Sequence, residues 1–420
     1  MTTMKSRRHL LAMLPAMAFA FSAATAGPAE TRPPALVNID HADLLAIRAE
    51  IRAGKPERQP AFETLLREAT SYLAVTPDSV VNKTRIPPSG DKHDFFAIGS
   101  YSWPNPDTPD SMPWIRRDGH VNPDTNGPDY DKRRYVVMRI RVNALALAWF
   151  CTEDERHAAK AADILRAWFI APATRMNPNF NYSSSLPGVH DGMAIGIIEG
   201  AELIGLLDSV KLLATSRSWT RADDDALRRW FYDYTTWLLE SPLGKEELRS
   251  DSNHGVWYDA QIAAFSIYSG HTARAREAVL RGRDRIAQQM VADGSLPQEL
   301  KRNRSFNYSV YALRAFTALA RCGDIIGEDL WHYRTPDGRG LEKGFAFIAP
   351  YLANEKPWTW RSLDKEPNNL AIQITRLAAR AYAANADLVQ ALDRATRHLA
   401  TLRPVDDRIV RLSGLTPPSP

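Results

Sequence analysis

The sequence has few cysteines and none of the common metal-binding motifs. Among its 420 residues only Cys151 and Cys322 are cysteines, which excludes a disulfide-dense scaffold. No HExxH, paired CxxC or EF-hand pattern occurs, so no motif predicts a metal ion or another cofactor. The sequence leaves open whether the two cysteines pair.

The sequence also lacks a strong excess of charge of one sign and, after its N-terminus, a long apolar run. The formal net charge is +4, and no basic run exceeds a few residues, which argues against nucleic acid as a partner. No later segment offers the roughly 20 uninterrupted apolar residues of a membrane span. We therefore expect a soluble mature protein.

The N-terminus, MTTMKSRRHLLAMLPAMAFAFSAATAG, has a basic start, an apolar stretch and small residues at its end. This pattern is typical of a cleaved secretory signal, which we place at residues 1–26. The pair Arg7-Arg8 also fits a twin-arginine signal, although ordinary signals contain such pairs too. We expect export to the bacterial periplasm or beyond, and a single domain over residues 27–420.

After the signal, apolar residues recur mainly at helical spacing, and alternating strand patterns are scarce. Short connections rich in Gly, Pro and Asp separate these segments, which predicts stacked helical hairpins in one all-α domain. Helices are predicted at residues 135–150, 158–170, 194–210, 224–240, 254–268, 273–291, 308–321, 341–352 and 370–384.

One long region departs from the helical pattern. Residues 76–128 are rich in Pro, Asp, Asn and Trp, and loops of this length are usually functional or disordered. The many aromatic residues favour an ordered loop packed on the helices. Aromatic faces beside cationic residues also suit contacts with sugar rings and sugar carboxylates. For any single ring, anchoring of the loop to the core is the simpler interpretation.

A first polar cluster, RSDSNHGVWYDAQ, covers residues 249–261. Ser252 or Asn253 can cap a helix that His254 enters, and the helix dipole disfavours a charged imidazole there, so a neutral ring is expected. Helical spacing places His254, Trp257 or Tyr258, and Gln261 on one face. A structural histidine beside a helix cap explains the same pattern.

A second cluster, PQELKRNRSFNYSVYAL, covers residues 297–313. Arg302 and Arg304 precede Tyr308 at a predicted helix start. Nearby guanidinium charge would lower the pKa of the tyrosine and make it a plausible proton acceptor. Solvated basic residues beside a half-buried tyrosine are the alternative interpretation.

The combination of Asn253-His254 with Arg302 and Tyr308 resembles the alginate lyase superfamily of polysaccharide lyases. The segments GDKHD, SYSWPNPDTPDSMPWIRRDGHVNPD, MNPNFNYSSSLPG and DGSLPQELKRNRSFNYS fit the same pattern, and the resemblance runs over about residues 60–384. It is closer to the branch that acts on alginate or glucuronan. One departure concerns the residues after the Pro-Gly of the third segment, where an arginine is expected and His190, Asp191 and Met193 stand instead.

The resemblance implies a fold and a reaction. The fold is an α/α toroid, an incomplete helical barrel of stacked hairpins, with a long ordered aromatic loop. The reaction is β-elimination on an anionic polysaccharide, without a cofactor or metal. In mannuronate and glucuronate the C5 hydrogen and the C4 oxygen lie on the same side, so one residue can serve both. We therefore expect syn elimination on mannuronate-rich alginate or glucuronan.

The resemblance also implies roles for individual residues. Tyr308 would take the C5 proton and return a proton to O4, with Arg302 holding it ionised. His254 and an asparagine, either Asn253 or Asn181, would neutralise the uronate carboxylate. Expected substrate-binding residues are Lys92, His93, Tyr101, Trp103, Arg116, Arg117, His190, Tyr258 and Gln261.

Two other functions are compatible with the sequence. A glycoside hydrolase on a helical toroid would need two carboxylates, which Glu299, Asp259 and Asp191 could supply. An exported polysaccharide-binding protein would use the aromatic loop alone. A lyase differs from both because its unsaturated product absorbs in the near ultraviolet.

Overall fold

The structure is a computed structural model that describes Met1 and residues 35–364, 366, 370–402, 408 and 412. Apart from Met1, the predicted signal at residues 1–26 lies outside the described residues. The α-helices of the described part are α1 His41–Arg52, α2 Gln59–Tyr72, α3 Lys132–Thr152, α4 Glu155–Leu165, α5 Leu203–Leu213, α6 Arg221–Glu240, α7 Pro242–Leu248, α8 Asn253–Tyr268, α9 Thr272–Gln289, α10 Pro297–Leu300, α11 Ser305–Ile326, α12 Leu341–Leu352, α13 Ala371–Ala381 and α14 Ala386–Thr401.

Helices α3, α8 and α11 form the centre of the fold because each carries many buried residues. α8 packs against α9, α11 and α6, and α3 packs against α2, α4 and α5. Nearly every residue of α8 after its first turn is buried, so this helix has no solvent face. A helix that is apolar all round belongs in a core. The first turns of α8 and α11 depart from this apolar character, since both carry polar side chains.

The prediction of a mostly helical chain is confirmed, although α1, α2, α7, α10 and α14 were not predicted. A further difference lies at residues 194–210. There a 3₁₀ segment, Ala194–Glu202, precedes α5. At Gly196 a Cβ atom would lie 2.6 Å from the backbone oxygen of Ser183. The glycine therefore permits a close approach of this segment to the chain at Ser183, which hydrophobic periodicity alone does not reveal.

The aromatic loop at residues 76–128 is ordered, as predicted, and carries short strands. β1 Phe96–Ile98 pairs in parallel with β4 Tyr182–Ser185, and β2 Ser102–Trp103 pairs antiparallel with β3 Ile115–Arg116. Phe95 is fully buried. Lys83 and Asp131 form a buried ion pair at 3.0 Å. These contacts fix the loop against the start of α3.

Two further features of the core are the burial of α3 and the state of the two cysteines. By length and composition α3 could cross a membrane, but 61% of its apolar window is buried inside the protein, and core helices of soluble proteins pass the same test. Cys151 on α3 and Cys322 on α11 are both buried and unpaired.

Candidate active site

The aromatic loop meets the first turns of α11 at Tyr308. Arg302 Nη2 donates a hydrogen bond to the Tyr308 hydroxyl oxygen at 2.8 Å, and the guanidinium carbon lies 3.8 Å from the ring centre. The Tyr101 hydroxyl lies 2.9 Å from that of Tyr308. Two side chains that can donate hydrogen bonds thus converge on one phenol oxygen, and such an arrangement stabilises negative charge on it.

The pKa of Tyr308 is raised, and the prediction that Arg302 would lower it below its ordinary value is wrong. Burial is the largest cause, Tyr101 adds to it, and the charge of Arg302 opposes it without prevailing. Desolvation disfavours the phenolate by removing water from it. At neutral pH Tyr308 is therefore a phenol.

Asp118, which the sequence analysis did not single out, holds Arg302 in place. Its Oδ1 accepts a hydrogen bond from Arg302 Nη2 at 2.7 Å, and its backbone oxygen accepts one from Asn303 Nδ2 at 3.0 Å. Burial alone would raise the pKa of Asp118, but the hydrogen bond and charge of Arg302 hold it below its usual value. Asp118 is therefore a carboxylate at neutral pH and offsets part of the charge of Arg302.

His254 stands at the start of α8, as predicted, and has a buried acidic partner. Its Nδ1 donates to Glu247 Oε1 at 2.7 Å, and Glu247 is 3% exposed. A carboxylate on Nδ1 fixes the ring orientation and leaves Nε2 as the nitrogen available to a ligand.

The two asparagines with a predicted catalytic role differ in their surroundings. Asn253 is fully buried, and its backbone nitrogen and Nδ2 donate to the two oxygens of Glu299 at 2.6 and 2.8 Å. Its amide therefore faces the interior. Asn181 is half-buried, and its Oδ1 accepts from Trp237 Nε1 at 3.0 Å, which leaves Nδ2 without a partner among the described residues.

Tyr308, Arg302 and His254 line one cavity of about 390 Å³. Its walls are the turn at residues 99–102, α3 and the 3₁₀ segment before α5. Ion pairs line it, with Lys132–Glu199 at 2.5 Å and Arg139–Glu202 at 2.8 Å. Two further cavities, of about 220 and 200 Å³, adjoin it through shared lining residues. Together they form a polar cleft along one face of α11.

A family model described as alginate lyase matches residues 79–358. The chain belongs to the alginate lyase family. Its structure is similar to the crystal structure of an alginate lyase from Bacteroides ovatus, with a TM-score of 0.82, 28% sequence identity, and coverage of 90% of this chain and 98% of that chain. The protein is thus a polysaccharide lyase, and the predicted α/α toroid is confirmed.

More distant similarity extends to alginate lyase A1-III of Sphingomonas species A1. A histidine-to-alanine variant of that enzyme, complexed with a tetrasaccharide, matches with a TM-score of 0.54 at 16% identity, over 82% of this chain and 88% of that chain. A tyrosine-to-phenylalanine variant, also with a tetrasaccharide, matches with the same TM-score and identity, over 86% and 95%. At this identity the likeness concerns the fold alone. No curated protein matches the chain.

Some of the predicted substrate-binding residues of the lyase line the cleft, and others do not. Tyr101 and Arg116 line the large cavity. Trp103 and Arg117 stack on each other at 5.2 Å on the surface of the loop and do not line the described cavities. Lys92 and His190 are exposed and do not line the described cavities, and His93 Nδ1 donates to the backbone oxygen of Arg175 at 2.6 Å.

Two predicted binding residues of the lyase are placed where no polysaccharide can reach them. Tyr258 is 1% exposed and its hydroxyl donates to the backbone oxygen of Leu238 at 2.9 Å. Gln261 is fully buried and accepts from the Tyr234 hydroxyl at 2.8 Å. Helical spacing placed them near the face of His254, but the face turns into the core after the first turn of α8. Their assignment to substrate binding is therefore corrected.

The sequence analysis missed several cleft residues of the lyase. Lys132 and Arg139 lie seven positions apart on α3, a spacing that puts both on one helix face and could have indicated a cationic stripe. Glu199, Glu202 and Arg314 had no comparable signal. Tyr311 lines two of the cavities. Among the described residues no group of His, Cys, Asp or Glu is arranged to hold a metal ion.

Proposed function

We propose that this lyase cleaves a mannuronate-rich alginate or glucuronan by syn β-elimination, with Tyr308 as base and then acid. The observation that carries the proposal is the Tyr308 phenol, held in a polar cleft between Arg302 and Tyr101 at 2.8 and 2.9 Å. A phenol in this position has donors ready for the negative charge that it acquires when it loses its proton.

In the proposed step, the Tyr308 phenolate removes the C5 proton of a uronate. The electron pair of the C5–H bond becomes the C4–C5 double bond, and the C4–O4 bond breaks. The new phenol then gives its proton to the departing O4. One phenol can serve both atoms only if they lie on the same side of the sugar, which is why mannuronate and glucuronate are favoured over guluronate.

The uronate carboxylate must be neutralised as charge develops beside it. His254 supports this step because Glu247 fixes its ring and leaves Nε2 for the cleft. Preorganised donors of this kind act most strongly where water is excluded. Asn181 remains the better of the two candidate asparagines, since Glu299 already occupies the amide of Asn253.

The hydrolase alternative needs two carboxylates that face a scissile bond. Glu299 is 2% exposed and hydrogen-bonded to Asn253, and Asp259 is fully buried between Arg281 and Arg285. Asp191 is exposed and does not line the described cavities. The carboxylates that the sequence offered for hydrolysis are therefore engaged in the interior or lie outside the described cavities.

The proposal is tested by the near-ultraviolet absorbance of reactions with polymannuronate, polyguluronate and glucuronan. We expect absorbance to rise with polymannuronate or glucuronan. A rise with polyguluronate alone would contradict the same-side geometry. Binding of these polymers without any rise would favour the polysaccharide-binding alternative.

We also propose that the lyase acts outside the cytoplasm, on the basis of the signal-like residues 1–26. Fractionation of the producing bacterium tests this. Activity in the periplasm or medium, with a mature chain that starts near Gly27, is the expected result. Retention of the full-length chain in the cytoplasm would contradict it.

A further inference from the structure

Arg314 lines a part of the cleft that lies beyond the residues of the proposed reaction. It follows Tyr308 on α11 by six positions, and Tyr311 lies between them, so all three share one helix face. Six residues of α-helix span about 9 Å. Arg314 lines both smaller cavities, and Tyr308 and Tyr311 line the first of them as well. The guanidinium therefore lies further along the cleft than the phenol.

Three other arginines of this cleft have an acidic partner, whereas Arg116 at its exposed rim forms no ion pair within the described residues. Arg139 pairs with Glu202 and Arg302 with Asp118, and Arg304 pairs with Asp364. These pairs cancel much of the charge that a uronate would meet.

Arg314 differs from the three paired arginines, and it differs from Arg116 because it is half-buried. Within the described part of the chain its guanidinium forms no ion pair, and it lies over the rings of Trp257 and Tyr311 at 5.9 and 5.7 Å. Aromatic faces hold a guanidinium in position without using its N–H donors. The donors of a half-buried, positioned arginine are thus available to a ligand.

We propose that Arg314 binds the carboxylate of a uronate beyond the sugars joined by the cleaved bond, and so selects a uronate over a neutral sugar at that position. The inference rests on the proposed function for the direction of the chain along the cleft. Guanidinium groups bind carboxylates through two parallel hydrogen bonds. Glu202, which lines the cavity shared with Arg314, is paired with Arg139 at 2.8 Å. Burial raises the pKa of Glu202, and the charges of Arg139 and Arg314 lower it, but Arg314 and Glu202 form no ion pair among the described residues.

The consequence is a preference for polymers in which uronates are consecutive. A glycan that alternates uronates with neutral sugars would place a hydroxymethyl group at Arg314 in one of its two registers. Such a group cannot accept two charge-assisted hydrogen bonds. Chain length should matter too, because a short oligosaccharide does not reach Arg314.

The test is calorimetric binding of mannuronate and glucuronate oligosaccharides of increasing length to the Tyr308→Phe protein, which cannot consume them. Affinity should rise with length, and Arg314→Ala should remove the gain of the longer oligosaccharides, by roughly tenfold for one charged hydrogen-bonding group. The shortest oligosaccharides that bind should be unaffected. Arg314→Lys should restore part of the loss.

Arg229→Ala is the matched control, because Arg229 also contacts an aromatic ring, Tyr232 at 5.5 Å, but lies outside the described cavities. It should leave all affinities unchanged. Equal affinities for Arg314→Ala and its parent, or no binding of any oligosaccharide, would overturn the inference. Arg314-dependent binding without near-ultraviolet product from the wild-type protein would instead overturn the proposed elimination and leave this site standing.

Discussion

Two clusters of arginine and aspartate in this lyase contain similar residues. They differ in whether their hydrogen-bonding groups are occupied by the protein or face a cavity. In the first, Asp259 accepts hydrogen bonds from Arg281 and Arg285 at 2.8 and 3.0 Å and is fully buried. Arg285 also donates to the backbone oxygens of Ser250 and Leu248, both at 2.6 Å. Protein groups thus occupy both carboxylate oxygens and most of the Arg285 donors.

The second cluster, of Asp118 and Arg302, opens onto a cleft. There Arg302 also donates a hydrogen bond to the phenol oxygen of Tyr308, which lines the large cavity. A closed cluster stabilises the fold, because removal of one partner leaves a buried charge alone. An open cluster can act on a ligand. The comparison predicts that substitutions separate into effects on stability and effects on activity.

The largest expected effect on activity is that of Tyr308→Phe. It removes the group that transfers protons, which should lower kcat by about 10²- to 10⁴-fold, while the melting temperature stays close to that of the wild-type protein. Near-ultraviolet kinetics and thermal unfolding measure the two quantities. Tyr333→Phe, outside the cleft, is the control and should retain activity. A Tyr308→Phe protein with near wild-type kcat would refute the role of the phenol.

The closed cluster should show the opposite pattern. Asp259→Asn leaves two guanidinium groups without a charge partner, so the free energy of unfolding should fall by about 3–5 kcal/mol. Asp225→Asn removes an exposed partner of Arg221 at 3.7 Å and should change it by less than about 1 kcal/mol. Denaturant titration compares the two variants. Similar stabilities would show that the buried cluster is not structural.

The pH dependence of activity tests the raised pKa of Tyr308. Because burial holds this pKa above its ordinary value, the phenolate fraction at neutral pH is small and increases about tenfold per pH unit. kcat/KM should therefore rise with pH from neutral to alkaline conditions. Arg302→Gln removes an influence that lowers this pKa, so it should move the rise to higher pH. A pH profile that is flat in the wild-type protein would contradict a phenolate base.

Asp118→Asn should shift the same profile in the other direction, by less than one pH unit. The charge of Asp118 raises the pKa of Tyr308, so its removal lets Arg302 stabilise the phenolate more effectively. The alkaline rise should thus begin at lower pH, with a reduced plateau because Arg302 is less well oriented. A reduced plateau with no shift would mean that Asp118 acts only on structure.

The smallest expected effect is that of Arg116→Ala. Arg116 lines the large cavity from its exposed rim, where solvent weakens ion pairing. Its loss should raise KM a few-fold and leave kcat nearly unchanged. Steady-state kinetics on the preferred polymer measure both constants, and an unchanged KM would remove Arg116 from the binding residues.

Much of the fold could be predicted from the helical spacing of apolar residues in the sequence. α12 was predicted at its observed bounds, and α3 within three residues at its start. α14 was missed although Leu388, Leu392 and Leu399 mark a periodic apolar face. The 3₁₀ segment could not be predicted because it depends on contacts between Gly196 and a distant strand.

The site was predictable in part. Arg302, Tyr308 and His254 meet in one cavity, as the resemblance implied. Asp118 and Glu247 were not predicted, since no local sequence pattern signals their contacts; Asp118 lies 184 positions from Arg302. Asn253 shows the limit of helical spacing. Its neighbour faces the cleft, whereas its own amide turns to Glu299 inside the protein.

The most direct test of the account is to digest polymannuronate or glucuronan in water labelled with heavy oxygen, with the wild-type protein and with Tyr308→Phe in parallel. Elimination adds no water. Wild-type fragments should therefore absorb in the near ultraviolet and carry no label, and the variant should release almost none. Labelled, non-absorbing fragments from the wild-type protein would show hydrolysis and contradict the account.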